Sequence, residues 1–588
     1  MTFTTRPTLR GSFGMVATTH WIASSTAMGV LERGGNAADA AVAAGFVLHV
    51  VEPHLNGPGG DLPAIVAPAG QAPKVLCGQG PAPAAATPQR LRDLGFDEVP
   101  GSGPVAAAVP GAVDAWLVLL RDHGSLPLTE VLAPAIGYAR HGAPMVERVG
   151  ATVATVQRLF ETEWPTSADL WLRDGRPPAP GEFVSNPAYA DTLDRLCAES
   201  DAGGGSREER IERARRAWGS GFVAEAIDDA GRTEIGVQGR PQPYLVTGAD
   251  MAAFSASWEA PVGIEFRGHE VLKCGAWTQG PALLQSLGML DALGGDALDV
   301  DTPAGAHAAI EVLKLAMADR EAWGGDTSPI SLDALLAPAY LADRARLVGE
   351  QASLDLRPGC PEGQQPTLSS IVTDPPSVDA DPGGGEPTVD ASGVTRGDTC
   401  HIDVVDRWGT LISATPSGGW LQSSPVIASV GFPLGTRLQM TWLEEGLAST
   451  LTPGRRPRST LSPTMVVREG RPWMACGTPG GDQQDQWQLV FLLRALGGMD
   501  LQEAIDAPML HTLAFPGSFA PRRTEPGVVV AEDRFSDSLL ADLERRGHEV
   551  RLSGPWSLGR LSAVALDAEG ILEAAANPRG MQGYAVGR

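Results

Sequence analysis

The chain has 588 residues and a formal net charge of −25, with 43% hydrophobic and 20% charged residues. This length exceeds what one small core organises, and the composition is that of a globular protein without an apolar run long enough to span a bilayer. The strong negative charge argues against nucleic acid as a partner, because a polyanion would be repelled.

The first residues, MTFTTRPTLRGSFGMVATTHW, lack the apolar stretch of a secretory signal, so we expect a cytoplasmic protein without a membrane partner. The six cysteines are scattered without metal-like pairs, and we interpret them as reduced thiols rather than disulfides. The sequence also has no phosphate-binding loop, HExxH helix or CxxC pair. We therefore expect an enzyme that uses neither a metal nor a cofactor.

Helical and strand patterns alternate along the first part of the chain. The segment GNAADAAVAAGFVLHVVEP (35–53) has small and apolar residues at helical spacing, which predicts a tightly packed helix. Glycines in HLNGPGGDLPAIV (54–66) end that helix before a strand. Further helices are predicted in VPGAVDAWLVLLRDHG (109–124) and GAHAAIEVLKLAMADREAW (305–323), so the class is helical with strands.

A stretch rich in Pro, Gly, Asp and Ser follows over residues 356–395. Such a composition cannot bury enough apolar surface to order itself, so we predict a mobile, disordered surface linker over about 356–398. Strand signals dominate after it. Hairpins are predicted from 399, in LSPTMVVREGRPWMACGTPGG and in RLSAVALDAEGILEAAANP, each with a glycine-bearing turn.

The first of these hairpins, GDTCHIDVVDRWG, begins with a threonine directly after the linker. Because side chains alternate along a strand, Thr399, His401 and Asp403 share one face, and Cys400 belongs to the opposite, apolar face. The turn DRWG and the return strand LISAT bring Ser417 back toward the first strand. In an ordinary hairpin of this pattern the polar face is solvated.

The position of Thr399 suggests a chemical role. Cleavage of the Asp398–Thr399 bond would leave a free α-amino group beside the Thr399 hydroxyl. Such an amine can act as the base for the hydroxyl and activate an otherwise weak nucleophile. The linker would let the two new chain ends separate.

Several segments resemble one known family. DTCHIDVVDRWGTLISATPSGG (398–419) resembles the processing site of the gamma-glutamyltransferases, N-terminal nucleophile hydrolases that are made as one chain and cut autocatalytically before a threonine. Residues 14–61 resemble the amino-terminal signature of that family. The segments VPGAVDAW, MADREAWGGD, RSTLSPTMVVREG and CGTPGGDQQ resemble its other motifs. The chain is identified as a member of this family.

The resemblance implies an α+β fold, a four-layer αββα sandwich with two stacked sheets between helical layers. It also implies a large subunit region, 1–398, that ends in the linker, and a small subunit, 399–588, that begins with the catalytic threonine. The two fragments are expected to form an obligate heterodimer, open to further oligomerisation. The expected ligand is a small-molecule acyl substrate.

The resemblance further implies roles for individual residues. Thr399 is implied as the nucleophile of self-cleavage and of turnover, with Thr415 against its amine. The backbone N–H groups of Gly480 and Gly481 are implied as an oxyanion hole, an arrangement typically worth about 3 to 4 kcal/mol. Ser417 stands where many members have a second threonine and is expected to contact substrate.

The segments that hold a γ-glutamyl group depart from the family pattern. In GQGPAPAAAT, Gln79 stands where the family has an arginine for the substrate α-carboxylate, and a neutral amide cannot replace a charge-assisted pair at equal strength. In RLQMTWLEEG, Thr441 and Trp442 take the places of an acidic pair for the substrate amine. Ser459 and Thr460 keep the remaining carboxylate contacts. We therefore expect a substrate other than glutathione.

Three functions remain open at this stage. The leading interpretation is a self-processing acyl hydrolase or transferase that acts on a non-standard small acyl substrate. The second is a carbon–carbon bond hydrolase, as in family relatives that build pyrroline or alkylproline units of antibiotics; it would use the same nucleophile and oxyanion donors, because both reactions pass through a tetrahedral adduct. The third is a non-catalytic binding protein that has kept the fold.

Other residues near these motifs have two interpretations each. His401 hydrogen-bonds locally or acts as a base. Trp442 and Trp420 line an apolar pocket or simply pack in the core. Asp61 faces the site or caps the next element, and Cys400 is interpreted as a core residue.

Overall fold

Two antiparallel sheets lie face to face at the centre of the molecule. The structure, a computed structural model, describes residues 3–237, 239–373, 399–519 and 522–588. The α-helices are Trp21–Glu32 (α1), Ala37–Val51 (α2), Pro88–Asp93 (α3), Ala112–His123 (α4), Leu128–His141 (α5), Glu147–Thr162 (α6), Pro165–Trp171 (α7), Pro187–Asp201 (α8), Arg207–Gly219 (α9), Phe222–Ala230 (α10), Gly248–Ala253 (α11), Gly280–Leu293 (α12), Pro303–Trp323 (α13), Leu332–Leu335 (α14), Pro338–Ala345 (α15), Ser370–Thr373 (α16), Gln484–Ala495 (α17), Leu501–Asp506 (α18) and Asp537–Arg545 (α19). The strands are Leu9–Gly11 (β1), Gly14–Thr18 (β2), Leu62–Ala67 (β3), Lys74–Gly78 (β4), Ala143–Pro144 (β5), Phe183–Val184 (β6), Ile235–Val237 (β7), Arg240–Gln242 (β8), Ser257–Glu259 (β9), Val262–Phe266 (β10), His269–Lys273 (β11), Ile402–Asp406 (β12), Leu411–Ala414 (β13), Thr464–Arg468 (β14), Arg471–Gly477 (β15), Leu510–Thr512 (β16), Val528–Ala531 (β17), Glu549–Leu552 (β18), Ser562–Leu566 (β19), Leu572–Ala576 (β20) and Tyr584–Gly587 (β21).

Each central sheet mixes strands from both sides of position 399. The first sheet has the order β21-β2-β12-β13-β3-β4-β9, and the second has the order β1-β20-β19-β15-β14-β11-β10. The hairpin β12–β13 therefore lies between β2 and β3, which come from the amino-terminal part of the chain. Neither part of the chain completes a sheet alone. If the strands of one part were removed, the neighbouring strands of the other part would be left with unpaired edges.

Three apolar layers hold the sandwich together. Residues such as Ile65, Val405 and Met465 fill the space between the sheets. Helices α1, α2, α4 and α5 contribute to the core on the outer face of the first sheet, and α12, α13 and α17 do so on the second. This is the αββα arrangement of an α+β protein, as predicted.

The buried helix α2 brings the chain to the centre of the first sheet. It begins with a capping box, in which the Asn36 side chain accepts from the Asp39 N–H group while the Asp39 side chain accepts from the Asn36 N–H group. Every residue of α2 is buried, and its many alanines allow this close packing. A Cβ at Gly45 would lie 2.5 Å from the Trp116 indole, so the helix packs there through its backbone. The chain leaves α2 at Glu52 and enters the glycine-rich segment.

The β12–β13 hairpin forms as predicted, and its polar face is buried rather than solvated as in an ordinary hairpin of this pattern. The register pairs Ile402 with Ala414, and the backbone bridge between Thr399 and Ser417 confirms the predicted return of the chain. The side chain of Thr399 is fully buried, as are those of His401 and Asp403. The second sheet covers this face, so its polar groups are paired inside the protein.

The first part of the predicted linker, residues 356–373, differs from the expected mobile segment. The Gly359 N–H group donates to Asp319 Oδ1 at 2.6 Å, and the Ser369 hydroxyl donates to Glu444 Oε1 at 2.9 Å. The composition of this stretch predicted disorder. It is ordered because the carboxylates of Asp319 and Glu444, on other parts of the fold, accept its hydrogen bonds. The rest of the predicted linker lies outside the described residues.

The structure also bears on the predictions about membrane-spanning helices and cysteines. None of the described helices has both the length and the apolar character needed to cross a membrane. All six cysteines are free, as predicted, and Cys360 is the exposed one.

Candidate active site

Thr399 lies at the head of the central hairpin, buried between the two sheets. Its hydroxyl donates to Ser417 Oγ, with 3.2 Å between the two oxygens. The hairpin enforces this contact, because the antiparallel bridge places the two backbones opposite each other. Asp398, on the other side of the predicted cleavage bond, lies outside the described residues.

A chain of hydrogen bonds runs beside Thr399 on the same face. His401 Nε2 lies 2.9 Å from Asp403 Oδ1, and Asp403 Oδ2 accepts from the Ser562 hydroxyl at 2.7 Å. A carboxylate only accepts, so we assign the ring proton to Nε2. In the neutral ring, Nδ1 then accepts the hydroxyl proton of Thr415, whose Oγ1 is 2.9 Å away. His401 therefore makes local hydrogen bonds. It orients the Thr415 hydroxyl so that the lone pairs of Thr415 Oγ1 can accept a hydrogen bond from another donor.

The two sheets approach each other closely beside this histidine. A Cβ at Gly477 would lie 2.2 Å from His401 Cε1, which is far inside contact distance. Only glycine fits there, because a side chain would displace the ring or separate the sheets. Gly477 ends β15, so the loop that follows it begins next to the head of β12.

That loop contains the predicted oxyanion residues. Gly480 has φ 132° and Gly481 has φ 52°, a region that favours glycine. Gln279 Nε2 donates to the Gly481 carbonyl oxygen at 3.1 Å and fixes the peptide. Helix α17 begins three residues later, at Gln484, and the amino-terminal end of a helix attracts negative charge. The loop can therefore offer backbone N–H groups to an oxyanion.

The glycine-rich segment after α2 lies directly against the nucleophile hairpin. The N–H group of Asp61 donates to the Ser417 carbonyl at 2.8 Å, and Ser417 returns a bond to the Asp61 carbonyl at 3.1 Å. A Cβ at Gly60 would lie 2.1 Å from the same Ser417 carbonyl oxygen, and a Cβ at Gly59 would lie 2.0 Å from the Pro433 carbonyl oxygen. These glycines are required by close backbone approach.

A buried ion pair next to Ser417 was missed by the sequence analysis. Arg437 donates to both oxygens of Asp61, at 2.7 and 2.9 Å, and both side chains are buried. The two residues line a small cavity together with Gln79 and Gly418. Asp61 therefore faces the site. Arg437 lies in the same segment as Thr441 and Trp442, and no local sequence pattern marks it as a buried residue.

Gln79 and Trp442 occupy different surroundings. Gln79 lines the cavity of the Asp61–Arg437 pair, and its Oε1 has no hydrogen-bond partner among the described residues. Trp442 is absent from the described residues that line this cavity. Its indole N–H donates to Glu321 Oε1 at 3.1 Å, and the Arg522 guanidinium lies 3.8 Å from its ring centre.

The cluster around Trp442 is linked to the predicted carboxylate contacts. Glu321 also pairs with Arg458 at 3.1 Å, and Arg458 directly precedes Ser459 and Thr460. Ser459 and Thr460 are both buried, and the Thr460 hydroxyl has no hydrogen-bond partner among the described residues. The Ser459 oxygen accepts from the Leu461 N–H group at 3.1 Å. Burial lowers the pKa of the nearby Arg522 to about 10.

Glu52, another residue that the sequence analysis did not single out, lies on the opposite face of β12. Its Oε2 accepts from the Cys400 thiol at 3.0 Å and from the Thr19 hydroxyl at 2.6 Å. Burial raises the pKa of both the Glu52 carboxyl and the Cys400 thiol. A thiol with a raised pKa is a poor nucleophile, so Cys400 is a core residue, as interpreted.

One group of side chains has the composition of a metal site. His307, Glu311 and His548 place ligand atoms within 4.8 Å of one another. The Glu311 carboxylate, however, already binds Lys314 at 2.7 Å and Arg357 at 3.0 Å. Two neighbouring cations oppose the binding of a third positive charge, so we interpret the cluster as structural.

The fold and the site together define a class. Two face-to-face antiparallel sheets between helical layers, with a buried threonine at the head of a central hairpin, are the features of an N-terminal nucleophile hydrolase.

Comparison with known proteins identifies the family. The gamma-glutamyltranspeptidase family model matches residues 23–587. The glutathione hydrolase-like YwrD proenzyme of Bacillus subtilis (strain 168) is 30% identical over 587 residues, which is 98% of this chain and 99% of that protein. The oxamate amidohydrolase proenzyme of Klebsiella pneumoniae is 30% identical over 96% of this chain and 97% of that protein. The chain therefore belongs to the gamma-glutamyltranspeptidase family.

Solved structures agree with this assignment. The structure named LmbA2991HD is 57% identical, covers 100% of both chains and has a TM-score of 0.94. Cephalosporin acylase from Bacillus halodurans is 25% identical, with a TM-score of 0.82, and the match covers 100% of this chain and 97% of that one. The chain is an enzyme of this family, a hydrolase or transferase of the autocatalytically cleaved kind.

Proposed function

We propose that the chain cuts itself before Thr399 and then uses that residue as the nucleophile of an acyl hydrolase or transferase. The observation that carries the proposal is the buried Thr399 hydroxyl beside Ser417, next to a Thr415 whose proton is held by His401. A weak hydroxyl nucleophile needs a base and an orienting group, and the freed amine and Thr415 supply them.

Self-cleavage follows from this placement in two steps. Thr399 Oγ1 attacks the carbonyl carbon of residue 398, the C–N bond breaks, and the amine takes the proton that the hydroxyl gives up. The resulting ester is hydrolysed by water, which leaves a carboxylate on residue 398 and a free amino group on Thr399. The two fragments stay together, because their strands alternate within both sheets.

Turnover repeats the attack on a substrate carbonyl. The Thr399 amine accepts the hydroxyl proton, Thr415 accepts a hydrogen bond from that amine, and the N–H groups of Gly480 and Gly481 bind the oxyanion. The leaving group departs with the proton, and water or another acceptor releases the acyl group from Thr399. Loss of one oxyanion donor typically costs about 3 to 4 kcal/mol.

The substrate is a small acyl compound other than a γ-glutamyl one. Gln79 supplies no charge for an α-carboxylate, and Thr441 and Trp442 supply none for an α-amine. The relatives named oxamate amidohydrolase and acylase support a small acyl substrate. We further propose that the protein acts in the cytoplasm and that the large and small fragments remain an obligate heterodimer.

Hydrolysis of a carbon–carbon bond beside a keto acid is the second candidate, and Arg437 is the observation that favours it. Arg437 Nη1 lies 3.6 Å from Met440 Sδ, a weak acceptor, so one edge of the guanidinium can still bind a carboxylate. Thr399 would attack the ketone carbon, and the electron pair of the broken bond would leave as a carbanion that is then protonated.

The nucleophile is tested with two substitutions at one position. Wild-type protein should run as two fragments on a denaturing gel, and the smaller should begin Thr-Cys-His-Ile. Thr399→Ala should remain one chain and be inactive, whereas Thr399→Ser keeps a hydroxyl and should cleave more slowly. Cleavage of Thr399→Ala at the same bond, or its undiminished activity, would refute the assignment.

The bond that is broken is tested by mass spectrometry of the small fragment. Quenched reactions with an amide and with an aromatic keto acid should each add a mass to Thr399 only if that compound is a substrate. An adduct with the acyl part of the amide supports amidohydrolysis, and an adduct with the short oxalyl part supports carbon–carbon cleavage. An adduct on any other residue contradicts both.

The loss of glutamate recognition is tested with a γ-glutamyl anilide. Losing one charged contact typically costs about 2 to 5 kcal/mol when the partner charge stays buried. Turnover should therefore be far below that of a family member with the arginine. Efficient turnover at micromolar substrate would contradict the proposed substrate class.

A further inference from the structure

The loop over residues 480–482, which contains both predicted oxyanion glycines, is held from two sides. On one side it packs on helix α17, because a Cβ at Gly480 would lie 2.3 Å from the Trp487 ring. On the other side it is bound by Gln279, which directly precedes α12, and by Arg320 of α13. The loop belongs to the small fragment of the proposed cleaved protein, whereas Gln279 and Arg320 belong to the large one.

The Gln279 side chain connects Arg320 to the loop. Its Nε2 donates to the Gly481 carbonyl oxygen at 3.1 Å, and its Oε1 accepts from Arg320 Nη1 at 3.0 Å. Only this orientation of the amide makes both bonds, because a guanidinium only donates and a carbonyl only accepts. Gln279 is buried, so both bonds are shielded from water. A side chain of the large fragment therefore fixes the peptide group that follows Gly481.

Arg320 holds the loop at a second point. It donates to Asp482 Oδ1, and its Nη2 donates to the Pro516 carbonyl oxygen at 3.1 Å. Asp482 also accepts from the N–H group and the hydroxyl of Ser518, at 2.8 and 2.6 Å. Burial alone would raise the pKa of Asp482, but Arg320 and Ser518 hold that pKa below its usual value. The carboxylate is therefore charged at neutral pH, and charge-assisted bonds fix the residue after Gly481.

Two consecutive glycines need such support. Gly480 and Gly481 have φ values of 132° and 52°, and glycine loses more backbone freedom on ordering than any other residue. Oxyanion donors act because they are oriented before the charge develops. A displacement of about 1 Å in a catalytic group can cost about a hundredfold in rate. The contacts that hold these two glycines should therefore affect the chemical step.

We propose that Gln279 and Arg320 are positioning residues for the oxyanion loop, so that the large fragment, which carries no nucleophile, sets the shape of the oxyanion hole. The inference rests on the proposed function, because it assigns the loop to the reaction of Thr399. Both side chains act through the loop: Gln279 through the Gly481 carbonyl, and Arg320 through Gln279 and Asp482.

The proposal is tested by acetylation of the cleaved enzyme with p-nitrophenyl acetate, an activated ester. The acetyl group moves to Thr399 Oγ1, nitrophenolate leaves, and the hydroxyl proton goes to the Thr399 amine. Stopped-flow release of nitrophenolate at several ester concentrations separates the acylation rate constant from the dissociation constant of the ester. Gln279→Met keeps the size of the side chain and removes both hydrogen bonds. It should lower the rate constant about tenfold to a hundredfold and leave the dissociation constant within about twofold.

Gln285→Met is the matched control. Gln285 is a buried glutamine further along α12, and its Nε2 donates to Asp319 Oδ2 at 3.1 Å and to the Leu335 carbonyl oxygen at 3.3 Å. This variant also loses two buried hydrogen bonds, so a general loss of stability is matched, and it should acylate as fast as wild type. Gln279→Glu keeps an acceptor for Arg320 but turns a second acceptor toward the Gly481 carbonyl, and it should be at least as slow as Gln279→Met.

Amide hydrogen exchange gives a second readout that needs no substrate and applies equally to a variant that has not cut itself. Residues 478–483 should exchange at least about tenfold faster in Gln279→Met than in wild type, and Gln285→Met should leave them unchanged. Wild-type acylation and exchange in Gln279→Met would overturn the inference, as would an effect on the dissociation constant alone. A burst from Thr399→Ala equal to that of wild type would instead refute the proposed function.

Discussion

The Asp61–Arg437 ion pair offers a sharp test of how the site is held together. Both side chains are almost fully buried, at 4% and 3% exposure, and the guanidinium makes two hydrogen bonds to the carboxylate. Replacing Arg437 by methionine keeps the apolar stem but leaves the Asp61 charge buried without a partner. Removing one member of a buried pair typically costs about 3 to 5 kcal/mol, whereas replacing both is often nearly neutral.

We therefore expect Arg437→Met to lower the free energy of unfolding by about 3 to 5 kcal/mol. The double variant Asp61→Asn with Arg437→Met should recover most of this loss. Arg437→Lys keeps the charge but not the two-point geometry, and it should fall between them. Urea unfolding of the cleaved enzyme, followed by tryptophan fluorescence, measures the stability, and a denaturing gel reports the cleaved fraction.

The exposed Arg346–Asp343 pair supplies the matched control, because its side chains are 75% and 69% exposed. Arg346→Met should cause no measurable loss, since water and salt screen such pairs. The reasoning is refuted if Arg437→Met is as stable as wild type. It is also refuted if the losses of Asp61→Asn and Arg437→Met, each measured alone, simply add in the double variant, which would show that the residues do not act as a pair.

Three further predictions use other parts of the structure. Gly477→Ala places a Cβ 2.2 Å from the His401 ring and should slow self-cleavage on a timed gel, while Gly137→Ala, which meets nothing within 4 Å, should not. Asp403→Asn removes the negative charge beside the His401 ring and replaces one of the two accepting oxygens by an N–H donor, so it should slow both cleavage and turnover at least about tenfold, with intact folding by circular dichroism. Burial lowers the pKa of His511 from 6.5 to about 3, so its contribution to stability is present above pH 6.5 and is lost as the pH falls toward 3. Between pH 7.5 and pH 5 the free energy of unfolding of the wild type should therefore fall by about 2 kcal/mol relative to that of His511→Phe. The same difference between the two proteins at both pH values would contradict this.

The site was only partly predictable from the sequence. Family resemblance, rather than periodicity, led to Thr399, Thr415 and the Gly480–Gly481 loop, whose roles are still proposals. Gln79 was expected at a substrate-binding position, and it lines a cavity. Arg437 was missed, because only its burial and its contact with Asp61 distinguish it from an ordinary surface arginine.

The amino-acid sequence by itself determined the local elements of this protein. Alternation of side chains and the glycine-bearing turns predicted the three hairpins after residue 399, and the register of each follows from neighbours in the chain. Likewise, the alanine-rich pattern before residue 52 predicted a buried helix, and every residue of α2 is buried. These features depend on interactions within a few residues, which a sequence shows directly.

Only the tertiary structure decided which distant groups meet. Asp61 and Arg437 are separated by 376 positions, and the polar face of the first hairpin is buried because strands from both ends of the chain form the sheet that covers it. No local pattern contains this information, since the solvation of a side chain depends on what packs above it. The same reason explains the ordered stretch 356–373, whose composition predicted disorder but whose partners lie on other elements.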